Sequence, residues 1–348
     1  MNRAAMLALT PVAVAYGFGV RLRNNLYRQG LFRSFSVGVP VISIGNLTMG
    51  GTGKTPLVEW LAGQLAASGK RVCVLTRGYG RKSSGRVLVS DYSRVLADID
   101  EGGDEALMLA QNLRGRVAVI CDRDRIAAAQ WAKENLGCDV FVLDDAFQHR
   151  RIARQLDIVA IDATNPWGSR ALLPAGTLRE PMNQLKRADC VVITRADEPK
   201  NLDQLRAEIE TIINRPRLFT SRIKLRSIRL LDESSSLDIS PEQSPHTAAF
   251  CGIGNPSSFF SLLHRNRMSV TYARAFRDHH HYTQSDVDSI VKDARSSGAR
   301  AVVTTAKDAV KLRSFEFALP CYVVHTSIEV HDHEEFLRYV NHAISTAD

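Results

Sequence analysis

A chain of 348 residues is longer than one hydrophobic core usually supports, so two domains are expected. Its apolar content of 45% and charged content of 24% are typical of a folded soluble protein, and its six cysteines form no C-x-x-C pair, which argues against a disulfide framework or a zinc site and fits a reducing cytoplasm. The net charge of +8 would suit nucleic acid, but no Lys/Arg run with interleaved aromatic residues occurs, so no nucleic-acid partner is expected.

The N-terminal segment 1–35 combines positive charge with apolar residues. Five arginines and no acidic residue occur before Glu59, and the stretch between Arg3 and Arg21 is almost wholly apolar. It is short for a bilayer span, and Pro11 interrupts it. A cleaved signal peptide and an ordinary core helix share this pattern. We favour an interfacial anchor, with apolar side chains in lipid and arginines on anionic head groups.

The stretch VISIGNLTMGGTGKT (41–55) joins an apolar strand to a glycine-rich turn. The glycines let successive backbone N–H groups point into one concavity. The amphipathic helix predicted over 54–67 adds unpaired donors and partial positive charge at its N-terminus, which suits a phosphate. Lys54 can then neutralise the β- and γ-phosphates of a nucleotide, and the Thr55 hydroxyl can ligate Mg²⁺. A nucleotide loop at this place also argues against export by a signal peptide.

This loop departs from the usual G-x-x-x-x-G-K-[ST] pattern at one position, because Thr48 stands where the first glycine is expected. Strand, loop and helix nevertheless follow in the required order, so an incidental glycine-rich turn is the less favoured interpretation. The residues predicted to bind ATP are Thr48, Met49, Gly50, Gly51, Thr52, Gly53, Lys54 and Thr55.

Apolar runs alternate with helical patterns through the first two-thirds of the chain. Strands are predicted at 40–45, 71–76, 116–121, 140–145, 157–162 and 190–194. Helices are predicted at 54–67, 103–113, 123–136 and 201–213. The pattern predicts an α/β fold of the P-loop NTPase type, a parallel sheet with helices on both faces and ligands at the carboxyl ends of its strands.

The alternation stops at about residue 215 and resumes near 247. We predict a P-loop kinase domain over 36–215 and an interdomain ribbon or linker over 216–246, where a basic, extended-looking stretch precedes a polar Ser/Pro-rich one. A smaller C-terminal α/β domain is predicted over 247–348.

Two acidic residues end the strand in VFVLDDAFQHRR. Asp144 and Asp145 would lie beside the phosphate loop, where Mg²⁺ needs hard oxygen ligands. A GTPase would continue with D-x-x-G, and that glycine is missing. The stretch ITRAD (193–197) weakly resembles the guanine-reading pattern [NT]-K-x-D, with Arg195 in place of lysine. A GTPase or metal-insertion ATPase switch therefore stays open as an alternative.

Two other polar clusters have ordinary structural explanations as well as functional ones. Asp104 and Glu105 follow two glycines at a predicted helix start, where acids also serve as caps. The histidines of FRDHHHYT, which begin at His279, do not share one face and so make a poor metal site. A single functional histidine held by Asp278 is the better hypothesis.

Seven blocks in this order resemble the tetraacyldisaccharide 4′-kinase family over nearly the full length: ISIGNLTMGGTGKTP, TRGYGR, GGDEALMLA, VLDDAFQHRR, LLPAGTLREP, FRDHHHYT and VVTTAKDAVKL. The resemblance implies transfer of the ATP γ-phosphate to the 4′-hydroxyl of a tetraacylated glucosamine disaccharide 1-phosphate, which would give lipid IVA. It also implies ATP and Mg²⁺ as cofactors and peripheral attachment, through the N-terminal segment, to the cytoplasmic face of the inner membrane. A membrane adaptor with a vestigial nucleotide site is a further alternative, which the intact Lys54–Thr55 and Asp144–Asp145 pairs oppose.

The same resemblance implies roles for individual residues. Lys54, Asp104 and His279 would be catalytic, with Asp104 and His279 as a dyad that activates the sugar hydroxyl. Because they lie in different predicted domains, domain closure would be needed to join them. The implied metal ligands are Thr55, Asp144, Asp145 and Glu180. The implied substrate-binding residues are Arg77, Tyr79, Arg125, Gln148, His149 and Arg179.

Two positions depart from the family pattern. Ala146 replaces the glycine usual in DDGFQH, which matters only if the backbone there needs a positive φ. Ala306 replaces the glutamate usual in TEKDAV.

Overall fold

The computed structural model describes residues 3–198, 201–214, 217–232, 240–241 and 244–345, and the side chains from residue 8 onward. Much of the predicted linker after residue 232 lies outside the described residues. The first half contains α1 (Arg3–Arg28), β1 (Val41–Gly45), α2 (Lys54–Ala67), β2 (Val72–Thr76), β3 (Val87–Ser90), α3 (Ile99–Gly102), α4 (Asp104–Asn112), β4 (Ala118–Cys121), α5 (Arg125–Leu136), β5 (Val140–Asp144), β6 (Leu156–Asp162), a 3₁₀ helix (Met182–Arg187), β7 (Cys190–Thr194) and α6 (Leu202–Ile212).

The second half begins with a long strand and continues with a shorter strand–helix alternation. Its elements are β8 (Arg217–Leu230), β9 (Thr247–Cys251), α7 (Pro256–Arg265), β10 (Val270–Ala275), α8 (Gln284–Ser296), β11 (Ala301–Thr305), α9 (Ala306–Leu312), β12 (Cys321–Val330) and α10 (His333–Ser345). Every strand and helix predicted for the first half is confirmed within two residues at each end. The sequence analysis missed β3, α3 and the 3₁₀ helix, which are short and lack a clear apolar period.

The described strands form one 12-stranded sheet in the order β10-β9-β11-β12-β8-β7-β6-β1-β5-β2-β4-β3. All neighbouring pairs are parallel except β8 with β12 and β3 with β4. The central parallel strands β1, β2, β5, β6 and β7 are buried along their whole length, as their continuous apolar sequences predict.

Strand register brings the phosphate loop and the paired aspartates together. β1 lies between β5 and β6, and Ile44 of β1 is paired with Asp144 of β5. The phosphate loop, which follows β1, therefore begins beside the end of β5, where Asp144 lies. This is the carboxyl edge of the sheet, where ligands of such folds bind.

Two features differ from the predicted division into separate domains. β8, predicted as ribbon or linker, is part of the sheet and bonds β7 on one side and β12 on the other. The C-terminal helix α10 returns to the first half, where the Phe336 ring lies 5.8 Å from Trp60. The same ring lies 4.8 Å from Phe219 of β8. The apolar core that contains α2 and the central strands also contains Phe336, Val340 and Ile344.

Helix α1 is 26 residues long and includes Pro11. Its buried residues are few, and several of its large apolar side chains are exposed, including Val14 (66%) and Phe18 (67%). Among the described residues, no helix combines the length and apolar character that crossing a membrane requires. The helix is attached to the body of the protein mainly through its C-terminal half.

Candidate active site

The phosphate loop has the backbone conformation that its glycines allow. Gly50 and Gly53 adopt positive φ values of 114° and 77°, and helix α2 begins directly after Gly53. A Cβ on Gly53 would lie only 3.2 Å from the Thr194 side chain, so this position has little room for a larger residue. Helix α2 therefore directs its N-terminal donors and the Lys54 side chain toward one space.

The entrance of the loop is held by neighbouring backbone at Thr48, which stands in place of the first glycine. Thr48 pairs with Leu178 in an isolated antiparallel bridge, and the Met49 N–H donates to the Thr177 carbonyl at 2.7 Å. The Asn46 amide also donates to the Thr52 hydroxyl at 3.0 Å. Neighbouring backbone and a buried amide thus hold a segment that many phosphate loops shape with glycine.

Asp144, at the end of β5, is 1% exposed, and its Oδ1 has no hydrogen-bond partner among the described residues. Burial and the negative charge of Glu105 raise the pKa of Asp144 to about 7, although Lys54 opposes the shift. A buried carboxylate oxygen without a donor is costly unless a cation compensates it.

Asp145 is already paired with positive side chains. Its carboxylate accepts hydrogen bonds of 2.7 and 2.9 Å from Arg179 and lies 3.6 Å from the Lys54 ammonium. Burial raises the pKa of Asp145, but the charges of Lys54 and Arg179 outweigh it and hold this pKa below its ordinary value. Its φ of 51° is left-handed, which is uncommon for a residue other than glycine.

These residues fit a Mg²⁺ ion that is completed by phosphate oxygens. Thr55 and Asp144 both line the same cavity, and Asp144 offers an unpaired buried oxygen. No group of three His, Cys, Asp or Glu residues in the described part of the chain could hold a metal on its own. Mg²⁺ at kinase sites is commonly held by one or two protein oxygens together with substrate phosphates, which this arrangement suits.

The predicted metal role of Glu180 is corrected by its contacts. Glu180 is completely buried, and its carboxylate accepts hydrogen bonds from Arg23 (2.8 Å), Asn24 (3.0 Å) and Arg187 (2.7 Å). It does not line the cavity that contains Lys54. Since both of its oxygens already accept hydrogen bonds, Glu180 fastens α1 to the 3₁₀ helix, and these contacts do not favour the predicted metal role.

The predicted pair Asp104 and His279 is in direct contact. His279 Nδ1 lies 2.9 Å from Asp104 Oδ2 and 3.1 Å from Oδ1, across 175 residues of sequence. Burial raises the pKa of Asp104, but the hydrogen bond to His279 and the charge of Lys307 lower it below its ordinary value. The two halves are therefore already close enough for the pair to form, so no further closure is needed for this contact.

Lys307 was not predicted as a site residue. Its ammonium lies 2.9 Å from Glu105, 3.1 Å from Asp278 and 3.2 Å from His279 Nε2, and it lines the cavity. Burial lowers the pKa of Lys307, but the negative charges of Glu105 and Asp104 raise this pKa by more than burial lowers it, so the side chain stays charged. The quoted block VVTTAKDAVKL contained this residue, but nothing in the sequence pattern indicated its partners.

The two departures from the family pattern have simple structural outcomes. The backbone at Ala146 does not take a positive φ, and the left-handed residue is its neighbour Asp145. Ala146 is fully buried. Ala306 is the first residue of α9 and lines the cavity next to Lys307.

One cavity of about 910 Å³ collects most of the predicted residues. Every predicted substrate-binding residue lines it, as do Met49 to Thr55, Asp144, Asp145 and His279. Thr48, Asp104 and Glu180 do not, and Asp104 lies behind His279. Burial, together with the charge of Arg125, lowers the pKa of His149 to about 4, so this imidazole is neutral at pH 7.

The residues of the TRAD stretch (194–197) are bonded to other parts of the protein and so do not form a guanine-reading pair. Arg195 donates to the Gly51 carbonyl at 2.9 Å and is ion-paired with Asp162, and Thr194 donates to the Thr52 carbonyl at 2.8 Å. Asp197 is ion-paired with Arg265 of α7 at 2.8 Å. The feature that favoured a GTPase therefore belongs to the support of the phosphate loop.

Fold and site together define a P-loop phosphotransferase whose cavity is lined by residues of both halves. The model of the tetraacyldisaccharide-1-P 4′-kinase family matches residues 5–345. A tetraacyldisaccharide 4′-kinase of Desulfotalea psychrophila is 39% identical over 313 residues, which cover 90% of this chain and 89% of the relative. One of Chlorobaculum tepidum is 40% identical over 314 residues, 88% of this chain and 87% of the relative.

The crystal structure of LpxK from Aquifex aeolicus in complex with ATP matches with a TM-score of 0.78 at 29% identity, over 98% of this chain and 99% of that one. The chain belongs to the tetraacyldisaccharide 4′-kinase family. Its activity is the ATP-dependent phosphorylation of a tetraacyldisaccharide 1-phosphate in lipid A biosynthesis. The switch alternative is not favoured.

Proposed function

We propose that the cavity between the phosphate loop and His279 carries out the transfer, with the donor nucleotide on the first half and the proton acceptor formed by both halves. The observation that carries this is the 2.9 Å contact between His279 and Asp104 beside the cavity that Lys54 also lines. Phosphoryl transfer depends mainly on positioning and on neutralising charge, so the arrangement needs no covalent intermediate on the protein.

On the donor side, the loop N–H groups and Lys54 bind the β- and γ-phosphates. Thr55 and Asp144 hold Mg²⁺, which when bound neutralises charge on the phosphate oxygens. Asp145 positions Lys54 and Arg179 through the ion pairs described above. Released from Asp145, either cation can turn toward a phosphate group.

On the acceptor side, the His279 imidazole takes the proton of the 4′-hydroxyl while Asp104 orients the ring and stabilises its charge. With Nδ1 on Asp104, Nε2 is the nitrogen that takes the proton. Lys307 now lies 3.2 Å from Nε2, so the hydroxyl must replace this contact when the substrate binds. Arg77, Tyr79, Arg125, Gln148, His149 and Arg179 bind the sugar and its phosphate. The Tyr79 ring packs 4.8 Å from the His279 ring, which joins the sugar side to the proton acceptor.

The test separates nucleotide binding from transfer. His279→Gln should bind ATP with an affinity within threefold of the parent and transfer label from γ-labelled ATP to the lipid at least a hundredfold more slowly. Lys54→Ala should instead lose both binding and transfer. Transfer by His279→Gln within fivefold of the parent would contradict the proposed role of the histidine.

We further propose that helix α1 attaches the protein to the cytoplasmic face of the inner membrane. Val14 and Phe18 are exposed, as are Leu31 and Phe32 in the segment that follows. Arginines Arg21, Arg28 and Arg33 provide charge that anionic lipids attract. Four acyl chains keep the substrate in the bilayer, so an enzyme attached there meets it directly.

Point substitutions test attachment better than truncation, because removing α1 would leave buried Glu180 without Arg23 and Asn24. Val14→Asp with Phe18→Asp should reduce flotation with vesicles that contain phosphatidylglycerol by more than fivefold and leave ATP affinity unchanged. Leu96→Asp, at an exposed leucine outside α1, is the matched control. Undiminished flotation of the double variant would place the attachment elsewhere.

A further inference from the structure

The turn after β7 holds the phosphate loop from behind. Thr194 Oγ1 donates to the Thr52 carbonyl at 2.8 Å, and Arg195 Nη1 donates to the Gly51 carbonyl at 2.9 Å. Arg195 is 8% exposed and adopts a φ of 53°, an uncommon conformation for an arginine. Backbone strain at a buried residue persists only where its surroundings maintain it, and here those surroundings are the phosphate loop.

The same turn is bonded to the second half of the protein. Asp162, at the end of β6, accepts from Arg195 at 2.5 Å and from Asn255 Nδ2 at 3.0 Å. Asn255 caps α7 by accepting from the Ser258 N–H. Arg265, near the end of α7, is ion-paired with Asp197 at 2.8 Å. A continuous set of polar contacts therefore runs from α7 to the phosphate loop.

Direct packing accompanies these contacts. A Cβ on Gly254 would lie 2.4 Å from the Gly51 nitrogen, so the second half touches the phosphate loop at a position where only glycine fits. Gly51 therefore has Gly254 of the second half against its nitrogen and accepts a hydrogen bond from Arg195 at its carbonyl oxygen. A change in either contact alters the loop that must present its N–H groups to phosphate.

We propose that Arg195 is a positioning residue for nucleotide binding, and that Asn255, Asp162, Arg195 and Gly51 act as one unit that couples the second half to the phosphate loop. The inference rests on the proposed use of the Lys54 loop as the phosphate site. Arg195 donates to the Gly51 carbonyl of the loop, and its guanidinium forms an ion pair with Asp162. Arg195 also lines the cavity, but its hydrogen bonds go to the loop and to Asp162, so the proposed effect is on the conformation of the loop.

The experiment measures the Kd of a non-hydrolysable ATP analogue with Mg²⁺ by calorimetry, together with kcat and the KM for ATP. Arg195→Gln should raise Kd and KM at least tenfold, or 1.4 kcal/mol, and lower kcat less than threefold. Arg195→Lys should recover part of the loss. Asn255→Ala should raise Kd about threefold, and the double variant should be no weaker than Arg195→Gln, since residues of one unit are not additive.

Arg170→Gln is the matched control, because Arg170 is also left-handed (φ 58°) and paired with an acid, Glu208, away from the cavity. It should bind the analogue like the parent. A Kd of Arg195→Gln within twofold of the parent would overturn the inference. If that variant does not fold, the same result for Asn255→Ala would do so. Multiplicative losses in the double variant would also overturn it. Unchanged binding by Lys54→Ala would overturn the phosphate-site assignment itself, which keeps the two failures distinct.

Discussion

Two buried carboxylates at the same edge of the sheet have opposite surroundings. Glu180, beneath α1, is fully buried and accepts three hydrogen bonds, two of them from arginines. Asp144, beside the phosphate loop, is 1% exposed and has an oxygen without a partner among the described residues. Burial of an acid is therefore not evidence of a ligand site. Asp144 differs from Glu180 in having a free oxygen beside the phosphate loop, and this oxygen suits the proposed Mg²⁺ site.

The largest effect is expected when Asp144, the acid with a free oxygen, is replaced by its amide. Asp144→Asn keeps the shape but loses the charge that holds Mg²⁺, so kcat should fall about 10²- to 10³-fold, or roughly 3–4 kcal/mol. The free protein should become more stable above pH 7, because burial and the charge of Glu105 disfavour the ionised Asp144. Kinetics and thermal melting without nucleotide check both signs. A loss of stability with normal kcat would contradict the assignment.

Glu180, both of whose oxygens accept hydrogen bonds, should respond in the opposite way. Glu180→Ala leaves Arg23 and Arg187 facing each other without a counter-charge, so the free energy of unfolding should fall by about 3 kcal/mol. Magnesium dependence of the folded fraction should stay within twofold of the parent. Denaturant unfolding and a Mg²⁺ titration of activity measure the two effects. A tenfold higher Mg²⁺ requirement in Glu180→Gln, which keeps the shape, would restore the metal role that the structure removes.

A smaller effect concerns pH. Asp144 has a folded pKa of about 7, above its ordinary value of 3.8, so it binds more protons when folded than when unfolded between those pH values. The stability of the free protein relative to Asp144→Asn should accordingly decrease as pH rises from about 4 to 7 and then level off. Mg²⁺ needs the ionised form, so its affinity should rise about tenfold per unit up to pH 7. Calorimetric Mg²⁺ binding from pH 5.5 to 8.5 tests this, and a flat profile would contradict it.

Local sequence patterns were sufficient for most of the first half of the fold, because its longer strands are continuous apolar runs and its phosphate loop has a specific order of residues. They were not sufficient for β8, where alternating basic and apolar residues resembled a linker but pair with β7 and β12. They also gave no sign that α10 returns to Trp60. These contacts join distant segments and depend on the assembled sheet.

The site was predictable to the same degree. Lys54, Asp144 and the pair Asp104 and His279 were named from motifs and family resemblance. The metal role predicted for Glu180 conflicts with its contacts, because a motif gives position but not the donors that α1 and the 3₁₀ helix supply. Lys307 and Arg195 were missed for the same reason, since their partners lie up to 202 residues away.

Asp104 and His279 are proposed to act as one proton-accepting unit across the two halves, and the kcat values of the parent, two single variants and the double variant test this proposal. Asp104→Asn and His279→Gln should each lower kcat at least a hundredfold with little change in the KM for ATP. The double variant should be no more than threefold slower than the slower single one, because residues that act as a unit are not additive. Multiplied losses, or normal kcat with only a lower melting temperature, would contradict the account.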